Sequence, residues 1–336
     1  MANADKRRIL VTGGAGYIGS HTVLALLERG YDVTVVDDLS RGLRHNVPGK
    51  RLWEISLQDR APLQRLFAQY KFDAVVHFAA FTYVDESSRR PGLYFRNNVG
   101  GSLELLDTMV EAGVSHIVFS STAAVYGVPA QIPIPENIPF HPVNPYGESK
   151  VMVERMLGWF DRIHSLRNVS LRYFNAAGAD PQGRLGEEHD PETHLIPLLL
   201  RAATTRQPIT VFGDDYDTPD GTCIRDYIHV TDLAEAHALA LDWLLGGGAS
   251  GAFNVGTGQG HSVREVMRVV EEVTGTAVPF AIGSRREGDP PALVADSAKL
   301  RRTLAWTPRY SDLHQIISTA WNFERRHATG RRRGVG

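Results

Sequence analysis

The sequence predicts an α/β fold, a doubly wound parallel sheet carrying a smaller C-terminal lobe. Three observations carry that expectation. Short β-branched runs alternate with amphipathic stretches through the first half, a glycine-rich turn directly follows the first run, and the alternation breaks down after Gly178. Strand and helix in turn require right-handed crossovers, which cover a parallel sheet on both faces.

In order, the strand-like runs of the first half are 9–12, 33–37, 74–78, 117–121 and 169–174. Segments 179–192 and 213–221, rich in Pro, Gly and acidic residues, read as loops around a helix over Leu195–Thr205. Strand-like pieces at 224–230 and 253–256 are expected to re-enter the main sheet, and 246–248 is only a short glycine loop. The expected division is a first domain over 1–178 with re-entry near 222–258, and a substrate lobe from 179–221 and 259–330. Residues 331–336, with Arg331, Arg332 and Arg333, read as a flexible, solvated tail.

The chain has 336 residues, 43% hydrophobic and 22% charged, enough to bury a sizeable core. A net charge of -2 gives no overall basic field, so neither nucleic acid nor an anionic membrane surface is an expected partner. The single cysteine, Cys223, excludes an intramolecular disulfide and leaves no cysteine-based metal site. It reads as a lone buried thiol, and no metal is expected. The polar start lacks the apolar core of a signal peptide, and no apolar run reaches the length of a membrane span. These features together imply a cytoplasmic protein.

The first strand runs into Gly13-Gly14-Ala15-Gly16-Tyr17-Ile18-Gly19, glycines at spacing three and three that open a helix. Gly13 allows the tight turn, Gly16 lets backbone approach a pyrophosphate, and Gly19 lets helix and strand pack closely. Asp37 ends the next strand about 20 residues on. The pattern is that of a Rossmann-type dinucleotide site. A carboxylate there accepts from a ribose 2′-hydroxyl and repels a 2′-phosphate, selecting NAD over NADP. Arg41 and Arg44, close behind, argue the reverse, but Asp37 is the better placed.

Tyr146 and Lys150 stand four apart at the start of an apolar helical pattern, on one helix face. An ammonium there would stabilise the phenolate and lower the tyrosine pKa, making Tyr146 a general base. Ser120, Ser121 and Thr122 end a strand at the carboxyl edge, where such sheets bind ligands. Taken singly, Tyr146 and Lys150 would read as a surface tyrosine and a solvated lysine; the glycine loop changes that reading.

On these residues the chain resembles the extended short-chain dehydrogenase/reductases and, within them, the UDP-glucose 4-epimerase family. The resemblance runs almost end to end, through the glycine loop, His77-Phe78-Ala79-Ala80, Phe119-Ser120-Ser121-Thr122, Tyr146-Gly147-Glu148-Ser149-Lys150, Arg172-Tyr173-Phe174-Asn175, Arg225-Asp226-Tyr227-Ile228-His229-Val230 and Arg286-Glu287-Gly288-Asp289. It implies a catalytic trio of Thr122, Tyr146 and Lys150. Tyr146 would take the proton from the sugar 4-hydroxyl while the C4 hydride passes to NAD, and the hydride would return to the other face of the 4-keto sugar. Thr122 would bridge sugar and Tyr146, and Lys150 would hold the nicotinamide ribose.

The cofactor residues it implies are Gly13, Gly16, Tyr17, Ile18, Gly19, Asp37, Asp38, Ser56, Leu57, Phe78, Ala79, Ala80, Asn97, Ser120, Tyr146, Lys150 and Tyr173. For a UDP-sugar they are Thr122, Asn175, His194, Leu195, Phe212, Arg225, Arg286, Asp289 and Leu293, with the two arginines meeting the diphosphate. A homodimer through a helical bundle is implied as well.

The chain departs from the family at four places. Ser56 stands where an Asp usually meets the adenine amino group, Thr82 falls in a segment that often carries a Lys near the cofactor, and His194 replaces a common Asn beside the phosphates. Leu293 is smaller than the Tyr some members use to gate C2 substituents, so N-acetylhexosamines are expected to fit. A dehydratase is disfavoured because Ala123 and Ala124, not acidic residues, follow Thr122. UDP-pentose epimerisation, a net reductase and a non-catalytic NAD sensor remain the rival readings.

Overall fold

A computed structural model describes residues 6–286 and 288–333. The chain runs β1 (Arg8–Thr12), α1 (Tyr17–Glu28), β2 (Asp32–Asp37), β3 (Leu52–Glu54), α2 (Arg60–Gln69), β4 (Ala74–His77), α3 (Val84–Arg89), α4 (Pro91–Tyr94), a π-helical turn (Phe95–Gly100), α5 (Gly101–Glu111), β5 (His116–Thr122), α6 (Pro145–His164) and β6 (Arg167–Tyr173). It continues through β7 (Asn175–Ala177), α7 (Leu195–Thr205), β8 (Ile209–Phe212), β9 (Ile224–His229), α8 (Val230–Leu245), β10 (Gly251–Val255), β11 (Gly260–Ser262), α9 (Val263–Thr274), β12 (Phe280–Gly283), β13 (Ala292–Leu293), α10 (Ala298–Leu304) and α11 (Leu313–Arg333).

Seven strands form the main sheet in the order β10-β6-β5-β4-β1-β2-β3, all parallel. Ile9, Leu10 and Val11 are fully buried, as a strand covered on both faces requires. On one face Val23, Leu26, Leu233 and Leu241 of α1 and α8 close the core. On the other, Leu63, Leu66, Leu105, Met109 and Leu157 of α2, α5 and α6 do so. The register aligns Thr12 with Val36 and His77, His77 with Phe119, and Thr122 with Tyr173. The strand order reverses between β1 and β4, so the aligned carboxyl ends line a crevice at the switch point.

The lobe has its own sheet, β11-β9-β13 with β7 also on β9, and a small β8–β12 pair. Its core joins Leu199 of α7, Val266 and Val270 of α9, and Ile316 and Ile317 of α11. Only Phe174 separates β6 of the main sheet from β7 of the lobe.

Three expectations change. Of the two segments expected to re-enter the main sheet, only β10 does so, beside β6; β9 pairs with β7, β11 and β13. Alternating burial cannot tell which sheet a strand joins, and Arg225 and Asp226 in β9 find their partners in the lobe. Residues 331–333, expected in a flexible tail, instead belong to α11, which runs through Arg333; arginine is a good helix former. Residues 334–336 lie outside the described residues. Cys223 is half-buried against the lobe core rather than sealed within it, at the residue just before β9.

Candidate active site

The glycine loop is as tight as its spacing implies. Gly13, at φ 72°, donates its N–H to Val36 at 2.8 Å, and a Cβ there would lie 2.5 Å from the amide of Ala79. A Cβ on Gly19 would lie 2.1 Å from the carbonyl oxygen of Gly13, so this helix turn packs on the loop only without a side chain. Gly16 is different: its Cβ would meet nothing nearer than that same oxygen, at 3.4 Å, which leaves its backbone approachable. It precedes α1, whose N-terminus has no side-chain cap. Backbone N–H groups at an uncapped, glycine-fronted helix start suit a diphosphate. Tyr17 anchors the turn through its hydroxyl to the carbonyl of Gly178 at 2.6 Å, and half-buried Ile18 packs on the core.

Asp37 is buried at the end of β2, where its carboxylate accepts from Ala15 N at 3.0 Å and Leu39 N at 2.9 Å. Burial raises its pKa, while these amides work in the opposite direction. Arg41 is held by Glu86 at 2.8 Å and lies over the Tyr83 ring, and Arg44 pairs with Glu54. Both arginines that argued for a 2′-phosphate are therefore committed to carboxylates. Asp38 is exposed and accepts from Ser40 N at 2.9 Å.

Beyond β3, Ser56 accepts from Gln58 N at 3.3 Å, and the Gln58 amide reaches Asn97 in the π-helical turn at 3.3 Å. Leu57 is buried beside Gly101. Phe78 and Ala79 leave β4 with their amides on the carbonyl of Thr12, leading through half-buried Ala80 into the segment containing Thr82. His77 beneath them bonds Thr12 at 2.7 Å and Ser102 at 2.8 Å, and burial drives its pKa down to about 3.

Tyr146 and Lys150 lie on the first turns of α6. Pro145 starts that helix, and Asn144 caps it by accepting from Gly147 N at 2.8 Å. Lys150 Nζ donates to the Ser120 carbonyl at 2.9 Å and stands 6.0 Å from the Tyr146 ring centroid. The Ser120 hydroxyl in turn bonds Tyr173 at 2.7 Å. Thr122, at the end of β5, accepts from Ala124 N at 3.1 Å and hydrogen-bonds Tyr146. The structure thus brings Thr122, Tyr146, Lys150, Ser120 and Tyr173 together at the carboxyl edge.

The electrostatics correct one expectation. Burial pushes the Tyr146 phenol well above its ordinary value, with only the bond to Thr122 opposing it. Burial also pulls the Lys150 ammonium down to about 7. Desolvation dominates both groups, and the one influence lowering the Tyr146 phenol is the bond to Thr122 rather than Lys150.

In the lobe, Arg225 of β9 is buried and paired with Asp289, with a second bond to the Ile224 carbonyl at 2.7 Å. Arg286 lies over the ring of Phe212, 4.1 Å from its centroid. Leu293 sits opposite Arg225 in register and packs with Phe174, Val125 and Val151, the last on α6. Arg225 thus meets Asp289 and Leu293 beside β9, and Arg286 meets Phe212 at the end of β8, although Arg225 and Asp289 spend part of their charge on each other. Asn175 opens β7 and Leu195 opens α7, both half-buried.

His194, the residue before α7, faces Glu187 at 2.8 Å and Glu192 at 3.0 Å. With His189 they form a group of four donors that sequence reasoning missed. The signal was present as Glu187-x-His189-x-x-Glu192-x-His194, overlooked because cysteine was the ligand sought.

The family model described as the NAD dependent epimerase/dehydratase family matches residues 9–256. The UDP-glucose 4-epimerase of Lacticaseibacillus casei is 50% identical over 324 residues, covering 96% of this chain and 98% of that protein. The crystal structure of UDP-glucose 4-epimerase from Brucella ovis in complex with NAD superposes with a TM-score of 0.92 at 49% identity, covering 94% of this chain and 98% of that one. A UDP-glucose 4-epimerase structure from Stenotrophomonas maltophila, with bound NAD and formylated UDP-arabinopyranose, gives 0.92 at 39% identity over 96% of this chain and 99% of that one.

Proposed function

The chain belongs to the NAD dependent epimerase/dehydratase family, and from that premise we propose that it interconverts UDP-glucose and UDP-galactose by reversible inversion at sugar C4. The observation that carries this reading is the convergence of Thr122, Tyr146 and Lys150 at the carboxyl edge, beside a glycine loop built for a dinucleotide. The loop fits NAD by its approachable Gly16, its uncapped helix start and buried Asp37.

When bound, NAD would supply the acceptor, and then the donor, of the hydride at sugar C4. Tyr146 removes the proton of the 4-hydroxyl and returns it after the 4-keto sugar has turned over. Thr122 holds the hydroxyl in line with the phenol. Lys150, fixed by the Ser120 carbonyl, would hold the nicotinamide ribose with its remaining donors. Burial raises the Tyr146 pKa, and the positive charge of an oxidised nicotinamide held beside Tyr146 would favour its phenolate. Arg225 and Arg286 grip the diphosphate, Asp289 and Asn175 orient the nucleotide and sugar, and Leu195, Phe212 and His194 line the path. A strong grip keeps the keto sugar from escaping.

Replacing Tyr146 by Phe tests the assignment. NAD content should be retained and epimerisation should fall by about 10²- to 10⁴-fold. Undiminished turnover would sink the mechanism. Turnover without added cofactor separates an epimerase from a net reductase, and a panel of UDP-sugars separates hexose from pentose substrates.

We also propose a homodimer through α5 and α6. Leu103 on α5 and Met152, Trp159 and Ile163 on α6 are exposed, Ile163 by 67% and Trp159 by 58%. Large apolar groups in one stripe mark a contact surface. Ile163→Glu should give a protein sedimenting as a monomer. Among the described residues no helix is long and apolar enough to cross a membrane, and a cytoplasmic setting suits a cofactor of this kind.

A further inference from the structure

Glu187, His189, Glu192 and His194 lie in the loop entering α7, outside the catalytic trio. One donor atom from each falls within 4.8 Å of the other three. His194 Nδ1 is 2.8 Å from Glu187 and 3.0 Å from Glu192, and His189 Nδ1 is 3.2 Å and 3.7 Å from the same two side chains. Donors around a tetrahedral zinc ion, bonded at about 2.0–2.1 Å, stand roughly 3.3 Å from each other.

Burial of its two carboxylates makes the group unusual. The Glu187 and Glu192 side chains are 6% and 1% exposed. Glu187 Oε1, Glu192 Oε2 and His189 Nδ1 nevertheless have no hydrogen-bond partner; the pairs are close but not aligned. Two buried carboxylates with unsatisfied oxygens carry a desolvation cost that a cation at their centre would offset.

We propose that these four side chains form a binding site for a divalent transition-metal ion of the zinc type. Two carboxylates and two neutral imidazoles balance its charge. The mixed nitrogen and oxygen set favours such an ion over calcium or magnesium, which take six or more ligands, mostly oxygen. Four protein ligands leave no position for a reacting water, so the site is structural. The ring of His189 stands 6.2 Å from Tyr17 of the cofactor loop and 6.4 Å from Tyr83, whose hydroxyl reaches the Pro191 carbonyl at 3.2 Å. His194 directly precedes Leu195. The ion therefore ties the cofactor loop to the start of α7.

The test uses untagged holoenzyme, stripped with a chelator and titrated with Zn²⁺ against a chromophoric competitor, alongside metal analysis of the protein as purified. One zinc per chain is expected, with a fall in melting temperature on stripping that Zn²⁺ reverses. His189→Ala should weaken zinc binding by about tenfold or more. Glu187→Gln, nearly isosteric, should do the same and serves if the first variant fails to fold. Absence of zinc binding with an unchanged melting temperature would overturn the site, leaving an ion cluster of protonated histidines. Equal binding by wild type and both variants would overturn it too, by locating the metal elsewhere.

Discussion

Lys150 spends one of its hydrogen bonds on the carbonyl of Ser120, 2.9 Å away, inside a pocket that pulls its ammonium down to about 7. The fold thus carries a buried amine whose charge is costly to it. Lys150→Met should lower kcat by about 10²- to 10⁴-fold without lowering the melting temperature. Steady-state kinetics and thermal melts check both; a marked loss of stability would mean the amine serves the fold instead.

We propose that Asp37 sets the choice of cofactor directly and Glu86 through its hold on Arg41. Asp37→Ala should weaken NAD binding roughly tenfold to a hundredfold, the value of hydrogen bonds to a charged group. Adding Glu86→Gln releases Arg41, which Glu86 holds at 2.8 Å, and should raise NADP affinity relative to the single variant. Equilibrium binding of both dinucleotides decides it; unchanged NADP affinity in the double variant would show that Arg41 cannot reach the ribose.

Leu293 packs on the cluster around Val125, as Phe174 does, and is proposed to set the room near the sugar. Turnover of UDP-N-acetylglucosamine is expected, and Leu293→Tyr should abolish it while sparing UDP-glucose. A wild-type protein inert toward the acetylated sugar would refute this.

Arg172 and Glu154 form a buried pair at 2.6 Å, with 7% and 6% of their side chains exposed. Glu154→Leu leaves the guanidinium uncompensated and should cost about 3–5 kcal/mol in urea unfolding, and adding Arg172→Met should recover most of it.

His21, His77, His229 and His237 are held neutral by burial, with pKa values lowered to about 4, 3, 3 and 4. Unfolded, each titrates near about 6.5, so below that pH the unfolded chain binds protons the native one refuses. Their contribution is complete above pH ~6.5 and drains by roughly 1.4 kcal/mol per unit for each as the pH falls toward the native values. His77→Gln should therefore reduce the loss of stability between pH 7 and pH 5 by about 2 kcal/mol. An identical pH slope in the variant would count against a neutral buried imidazole.

The glycine loop and the Tyr146–Lys150 pair were legible because each is local: a turn and one helical face fix them before any tertiary contact forms. Leu195–Thr205 was legible for the same reason. The sheet joined by β9 was not, since strand pairing depends on partners far along the chain. The Arg225–Asp289 pair spans 64 residues and left no mark in spacing. The rise in the Tyr146 pKa was hidden because helical spacing reports proximity and says nothing of dehydration. The donors at Glu187 to His194 were visible in order, but their convergence comes from the fold of a loop.

At one crossing a single residue, Phe174, separates β6 of the main sheet from β7 of the lobe's sheet. A joint this short transmits displacement and leaves little slack. With so short a link, the proposed mechanism assigns the half-turn between oxidation and reduction to the sugar ring itself, swinging on its diphosphate tether.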